Sequence, residues 1–410
     1  MGNTPRMTGF PPSADSLITL ANWQDSPNHR WAFQHVRELV PTQRIGRGPG
    51  PASTLPTVLS PVGGVPFTRL DGSTSTVDEV IQNTFTDALI VLHDGRIVEE
   101  RYFGQMTATT PHLVMSVSKS IVGCVASVLI DRGALDQDAP VTDYVPEVSD
   151  SGYAGATVRH LLDMRTGVAF REAYTAMDAE VRVMERSMGW RPPLPGDPVG
   201  AYAYLTTLGS AGPHGDSFTY RSADTDMLGW VCERASGLRM ADLISDLIWA
   251  PLGGEADAEI SCDAVGTAIH DGGISAVARD LARFGQMLLD DGRANGRQIV
   301  PASWLQDTLT LDADVREAFA SSDNEPYLPG GWYRNQFWIV RGIGGELLVC
   351  LGIHGQMICV DRAYGTVGVK LSSWPHAQNA TYLIDTLRVF TALSSHFASA
   401  VRPSGSAVPQ

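Results

Sequence analysis

The chain is nearly without lysine. It has 30 Lys and Arg together, and only Lys119 and Lys370 are lysine. Cysteine is also sparse. The five thiols, Cys124, Cys232, Cys262, Cys350 and Cys359, are odd in number and show no C-x-x-C spacing. A disulfide framework is therefore not expected; these read as free thiols filling core space in a reducing cytoplasm. There is no H-E-x-x-H and no paired Cys/His cluster, so no metal and no cofactor is implied. There is no G-x-S-x-G, which removes the strained strand-to-helix serine turn that motif builds. Gly46-x-Gly48-x-Gly50 lies in a Pro-rich stretch rather than between a strand and a helix, which is poor context for nucleotide binding. No apolar run approaches the about 20 residues that span a bilayer. Residues 1–21 lack a basic stretch followed by an apolar one, so a cytoplasmic protein without a secretory signal is expected. Positive charge is in deficit too. With 45 acids the net charge is −15, which argues against a nucleic-acid partner.

What is present starts from one of those two lysines. Arg stays protonated in proteins, whereas a buried Lys can lose its proton and serve as a base. Lys119 closes Ser116-Val117-Ser118-Lys119, which puts Ser116 one helical turn away on the same face. A hydroxyl beside such an amine is the Ser-Lys form of an activated nucleophile. Ser and Lys also fall three apart in many ordinary helices, so the motif needs its context. Here Ser116 opens an apolar helix through Ile121, Val122, Val125 and Leu129 that ends near Gly133. A nucleophile at that end gains free backbone N–H groups and the positive end of the helix dipole.

The length of 410 residues allows one large domain or two sharing a core, and 43% apolar with 18% charged residues is globular composition. Ser26-Pro27 reads as a helix start, with the helix running through Trp31, Val36 and Leu39 to Pro41. Residues 41–75 form a Pro/Gly/Ser/Thr-rich connection. Two apolar runs flanking Asp94-Gly95 predict a hairpin. Helical patterns dominate 136–275, and 278–289 is amphipathic. Strands follow at 331–340, 347–352, 356–361 and 366–372, with turns at 342–345 and 361–365 and a closing helix at 379–397. The expected fold class is α/β. Residues 1–150 and 275–397 would build one α/β domain with an antiparallel sheet from both chain ends, and 151–274 an inserted, mainly helical domain. Residues 398–410 read as a disordered tail.

A Ser-Lys nucleophile needs a second proton carrier and an oxyanion hole. Tyr220 sits at a loop-to-helix junction, where it can point into a cleft while Ser222 caps the helix. A half-buried structural Tyr is the plain alternative. Gly352-Ile353-His354-Gly355-Gln356 could present a backbone N–H to an oxyanion from a strand edge.

With Ser116-x-x-Lys119, Tyr220 and His354-Gly355 in this order, the chain resembles the penicillin-recognising serine hydrolases. These include class C β-lactamases, DD-peptidases and family VIII carboxylesterases, and the resemblance covers nearly the whole chain. Supporting strings are Asp138-Ala-Pro-Val141, Tyr144-Val-Pro146, Thr157-Val-Arg-His-Leu-Leu-Asp-Met-Arg-Thr-Gly167, Gly272-Gly273 and Ala278-Arg-Asp-Leu-Ala-Arg-Phe284. Within the superfamily it is most similar to the nylon-oligomer amidase branch. That likeness rests on Asn28-His-Arg-Trp-Ala-Phe33, Leu113-Val-Met-Ser-Val-Ser-Lys-Ser120, Ser187-Met-Gly-Trp-Arg191, Gly352-Ile-His-Gly-Gln356 and Lys370-Leu-Ser-Ser-Trp-Pro375.

The resemblance implies a β-lactamase-like fold and hydrolysis of esters and small linear amides through an acyl-enzyme. Ser116 would be the nucleophile, Lys119 its base and Tyr220 the proton carrier, with backbone N–H groups of Ser116 and Ile353 as the oxyanion hole. Tyr174 would lie on a mobile loop over the cleft. Glu185 falls where the amidase branch has an Asp that meets the substrate's amino end. Ser222, Asp271, His354 and Gln378 complete the implied substrate-facing set, and Lys370 has a counterpart that need not be catalytic. The Lys-Thr-Gly of β-lactamases and DD-peptidases is missing from its place. Arg165-Thr166-Gly167 is the nearest string and precedes Tyr220. A β-lactamase or DD-peptidase, a catalytically silent binding relative, and acyl transfer to an acceptor other than water remain as alternatives. The implied partner is a small ester or amide, with no nucleic acid and no membrane, and a homodimer is left open. Negative charge from Glu185 and Asp271 leads to the expectation of a cationic, amine-bearing substrate.

Overall fold

The computed structural model describes residues 6–342 and 344–400. In chain order its main strands are β1 (Thr42–Ile45), β2 (Thr86–His93), β3 (Arg96–Tyr102), β4 (His112–Leu113), β5 (Ala258–Ser261) and β6 (Ile274–Ala276), then β7 (Trp332–Arg334), β8 (Phe337–Arg341), β9 (Glu346–Gly352), β10 (Gln356–Asp361) and β11 (Thr366–Ser372). The helices that matter for the site are α1 (Val117–Asp131), α2 (Val158–Leu162), α3 (Glu180–Ser187), α4 (Ser222–Ser236), α5 (Ala278–Leu289) and α6 (Ala380–Ala400).

The large sheet is antiparallel, with spatial order β7-β8-β9-β10-β11-β2-β3. The late strands thus close onto the early hairpin through β11 and β2, where Val369 pairs with Ile90. The hairpin turn is Asp94-Gly95, both at positive φ (48° and 71°), as a two-residue turn of the favoured hand requires. Both faces are covered, so Ala88 to Leu92 are all buried and the strand reads as an unbroken apolar run. Side-chain alternation assigns the faces. On one, Gly285 of α5 lies against Val367 and Ile358, leaving no room for a Cβ. On the other, Phe390 of α6 sits over Gly368.

Several expectations need correction. The stretch 331–340 is two strands, because Asn335 and Gln336 both adopt positive φ (56° and 69°). That turn is held by tertiary bonds: Asn335 N donates to Asp163 Oδ1, and Gln336 Nε2 donates to Leu161 O. Gln336 O accepts from Ser120 of α1 and its Oε1 from Thr225 of α4, so one residue, through its side chain and its carbonyl, ties the hairpin to three helices. The helix expected from Ser26 to Pro41 is only a turn at His29–Ala32 and a 3-10 turn at Val36–Glu38. His35 leaves helical geometry to stack flat on Trp31, with its Nδ1 on the Trp31 carbonyl. The region 136–275 carries two strands beside its helices. A second antiparallel sheet, ordered β1-β5-β6-β4, joins it to the N-terminal part. The closing helix extends to Ala400, so the first three residues of the tail expected at 398–410 are helical, and 401–410 lie outside the described residues. All five cysteines are free and buried. Among the described residues no helix is long and apolar enough to cross a membrane.

Candidate active site

Three elements bring the sequence motifs together. Ser116 is the N-cap of α1 and follows Met115, which is forced to φ 48°. A non-glycine residue there stores strain that its surroundings must hold. They do so through Gly352: a Cβ on it would fall 2.6 Å from Val114 O and 3.1 Å from Met115 Cβ. The end of β9 therefore presses against the turn before the serine. This places Ile353 in the same pocket lining as Ser116. Neither the Ser116 nor the Ile353 backbone N–H has a hydrogen-bond partner among the described residues.

Lys119 is 1% exposed, and its ammonium donates to Ser116 Oγ at 3.0 Å, Ser222 Oγ at 3.0 Å and Asp271 O at 2.8 Å, with Asp271 Oδ2 at 3.4 Å. The Ser222 hydroxyl donates a hydrogen bond to Glu172 Oε1 at 2.7 Å, and Ser222 N donates to Glu172 Oε2 at 3.0 Å. The expected cap is thus reversed. Ser222 does not cap α4; Glu172 binds its first N–H from outside, and Ser222 Oγ links Lys119 to that carboxylate. Glu172 also accepts from Tyr174 Oη at 2.5 Å. Asp226, one turn after Ser222, accepts from His270 N and Asp271 N, which fixes the turn that presents Asp271 to Lys119.

These acids change the reading of Lys119. Burial alone drives its ammonium toward the neutral amine, but Tyr220, Asp271, Glu172 and Asp226 outweigh burial and hold its pKa above that of an ordinary lysine. Tyr220 hydrogen-bonds Ser116; burial raises its pKa, opposed by Lys119 and by that bond. Its ring is not loose. It stacks on Trp338 at 5.1 Å, meets Tyr333 edge-on at 5.9 Å, and lies 5.3 Å from Lys119 Nζ.

The other expected residues divide. Tyr174, Glu185 and Asp271 line the pocket beside Ser116. Glu185 is not a free carboxylate, however: Arg182 Nη1 and Arg191 Nε both bind its Oε2 at 2.6 Å. His354 sits behind the site. It is at φ 60°, with its N–H on Ala377 O and Nδ1 on Trp374 O at 2.8 Å, so it shapes the Ile353 turn. Burial, with His29 beside it, pushes its pKa down to about 3. Gln378 is exposed on the loop before α6 and is not part of the pocket lining. Glu172, Asp226 and Arg182 were not among the residues expected from the sequence, and Trp190 lay inside the Ser187–Arg191 string without an assigned role. Of the first three, only Asp226 carried a signal, its i,i+4 spacing from Ser222 on the helix that Tyr220 leads into.

The pocket beside Ser116 encloses about 20 Å³ as it stands, roughly the room of one water. A larger polar cavity of about 710 Å³ opens elsewhere, around Asp131, Arg159, Asp163, Trp304 and Arg334, and no residue of the Ser116 group lines it.

The β-lactamase family model matches residues 75–390. The chain belongs to the β-lactamase family. It is a hydrolase of that superfamily, and its fold is the β-lactamase-like one, with antiparallel sheets flanked by helices. It is 37% identical over 394 residues to 6-aminohexanoate-dimer hydrolase of Paenarthrobacter ureafaciens, spanning 94% of this chain and 97% of that one. Esterase EstB of Burkholderia gladioli is 30% identical over 179 residues, which is 40% of this chain and 44% of the esterase. Among solved structures, one from Bacillus anthracis, provisionally assigned as a 6-aminohexanoate-dimer hydrolase, superposes with a TM-score of 0.86 at 26% identity, covering 95% of this chain and 99% of that one. A family VIII carboxylesterase shares the fold with a TM-score of 0.55 at 15% identity, covering 76% of this chain and 95% of that chain.

Proposed function

We propose that the protein cleaves esters and small linear amides through an acyl-enzyme on Ser116, with Tyr220 and Lys119 acting as one proton-handling pair. The observation that carries this is the convergence of Lys119 Nζ and Tyr220 on the Ser116 hydroxyl at the start of α1. The active form of the pair lacks one proton and places its charges as Lys119 ammonium and Tyr220 phenolate. Ser116 Oγ attacks the substrate carbonyl carbon while its proton passes to Tyr220. The oxyanion is taken by the N–H groups of Ser116 and Ile353. The tetrahedral species collapses, the carbon–oxygen or carbon–nitrogen bond breaks, and Tyr220 returns the proton to the departing atom. Water then repeats the sequence and releases the acid. The 37% identity to an enzyme named for 6-aminohexanoate dimer supports the inclusion of linear amides. Admission of an acyl chain requires the Tyr174 segment to move outward, given the narrowness of the pocket.

Turnover of p-nitrophenyl butyrate tests the roles. Ser116→Ala should abolish it, and a fluorophosphonate should label Ser116 and no other serine. Tyr220→Phe should lower kcat by about 10²–10⁴-fold, the usual loss on removing a positioned acid-base group. A Tyr220→Phe enzyme within a few-fold of wild type would remove Tyr220 from the mechanism.

A further inference from the structure

The larger cavity lies between the end of α1, the helix α2 and the segment 301–334, and its volume of about 710 Å³ is that of a small-molecule site. Its three arginines are already taken. Arg159 Nη1 meets Asp163 Oδ1 at 3.3 Å and Asp307 Oδ2 at 3.6 Å. Arg165 Nη1 meets Asp314 Oδ2 at 2.7 Å, and Arg334 binds both Asp307 and Asp312. None of them is left over for an anionic ligand. Six aspartates line the cavity against these three arginines. His160 adds no charge at neutral pH, because burial, His214 and Arg165 lower its pKa. Asp131 and Asp138 are exposed, and their carboxylates have no hydrogen bond or ion pair among the described residues.

Surplus acid on a surface is ordinary; Asp163 is not. It is 3% exposed, and its Oδ1 is in use, accepting from Asn335 N at 3.0 Å and facing Arg159. Its Oδ2 accepts nothing among the described residues, yet it keeps contact with open space, unlike the unpartnered atoms sealed in the core. Asp163 lines the cavity, so that oxygen opens onto it. Burial pushes the Asp163 carboxyl above the usual carboxylate range, opposed by Arg159 and the Asn335 N–H. A buried carboxylate with one open oxygen is short of the counter-charge that burial demands. A metal ion fits poorly, since among the described residues no three His, Cys, Asp or Glu side chains converge closely enough to ligate one. The remaining wall includes Ile130 and Trp304, which suit an alkyl spacer.

We propose that this cavity is a second ligand site, built for an organic dication: a diammonium alkane with one ammonium on Asp163 Oδ2 and the other facing Asp131 and Asp138. The site is separate from Ser116 and goes beyond the acyl-enzyme reading, and its occupation needs no turnover.

Calorimetric titration of the whole chain tests it, with hexane-1,6-diamine as ligand and hexylamine, hexane-1,6-diol and adipate as comparators. The diamine should bind saturably at one site per chain, at least about tenfold tighter than hexylamine, and the diol and adipate should give no saturable signal. Asp163→Asn keeps the shape of the side chain and should weaken the diamine by at least about tenfold. Because Asp163 also holds Asn335, a second variant guards the test. Asp131→Asn with Asp138→Asn alters only exposed side chains and should weaken binding by about three- to fivefold. Glu185→Gln, in the pocket beside Ser116, should leave binding unchanged. The proposal is overturned by diamine binding that is absent, no tighter than hexylamine, or matched by the diol or adipate. It is equally overturned by affinity unmoved in the Asp131/Asp138 double variant or in a folded Asp163→Asn protein. Binding lost in Glu185→Gln would move the diamine to the Ser116 pocket and overturn it as well.

Discussion

At the scale of single residues, the acids around Lys119 favour its charged form, which bears on the pH dependence of the proposed reaction. Lys119 and Tyr220 both have raised pKa values, and in the proposed mechanism the active pair is one proton short. Two interacting groups of this kind lose protons in steps that belong to the pair. The first step then lies on the alkaline side, so kcat/KM should climb as pH rises from 6 toward 9. Glu172→Gln removes one negative charge facing Lys119 and should move that limb to lower pH; a profile flat across this range, or a limb unmoved by the variant, would contradict the assignment. His354, pushed down to about 3, stays neutral throughout and contributes no limb near neutrality. Ser116, Lys119 and Tyr220 were all legible as candidates, because S-x-x-K spacing and a loop-to-helix Tyr are local patterns. The charge state of Lys119 was not, since it depends on Glu172 and Asp271, which approach from distant segments.

Among the elements, α1 is the pivot, and the hairpin β7–β8 is what it leans on. Gly123 faces that hairpin turn so closely that an added Cβ would lie 2.7 Å from Asn335 O and 2.9 Å from Gln336 Cβ. Gly123→Ala should destabilise the protein by about 1–3 kcal/mol, the range for overpacking a filled site, despite the helix propensity that alanine adds. A thermal midpoint equal to or above that of wild type would show that the turn can yield. The same hairpin supplies Tyr333 and Trp338 to the Tyr220 ring, so loosening it should also lower turnover. The sequence marked this stretch as strand because Trp332, Tyr333, Phe337, Trp338 and Ile339 favour strands. It did not mark the turn, since Asn335-Gln336 reaches positive φ through bonds to Asp163, Thr308 and Leu162 rather than through glycine.

For the whole molecule, Lys370 links the core to pH. It is fully buried, with Nζ on Ser372 Oγ and Thr84 O, and lies 5.6 Å from the Trp374 ring. Burial, partly opposed by Asp87, lowers its pKa to about 7. The unfolded chain keeps an ordinary lysine pKa of about 10.4 and so binds more protons than the folded one between these values. Stability therefore rises with pH across that window, and the cost of burying Lys370 is fully present below about pH 7. Lys370→Met should raise the thermal midpoint at pH 6–7, and the gain should shrink toward pH 10. A gain that stays constant or grows with pH would mean that Lys370 is paired better than its neighbours indicate.

By itself the sequence determined the features that are local or periodic. These include the Asp94-Gly95 hairpin, the helix opened by Ser116, the late strands and α5 at 278–289. It also determined the assembly of one sheet from both chain ends, because fully buried strands must be apolar along their length and turns must carry residues that permit them. Only the tertiary structure decided what long-range approach controls. It turned Ser222 from a cap into a link between Lys119 and Glu172. It neutralised Glu185 with Arg182 and Arg191, sent Gln378 to the surface, and wove β1, β4, β5 and β6 into a second sheet. The reason is physical. A residue's charge state and partners depend on what is packed within a few ångströms of it, and in this fold those neighbours are often a hundred or more positions away.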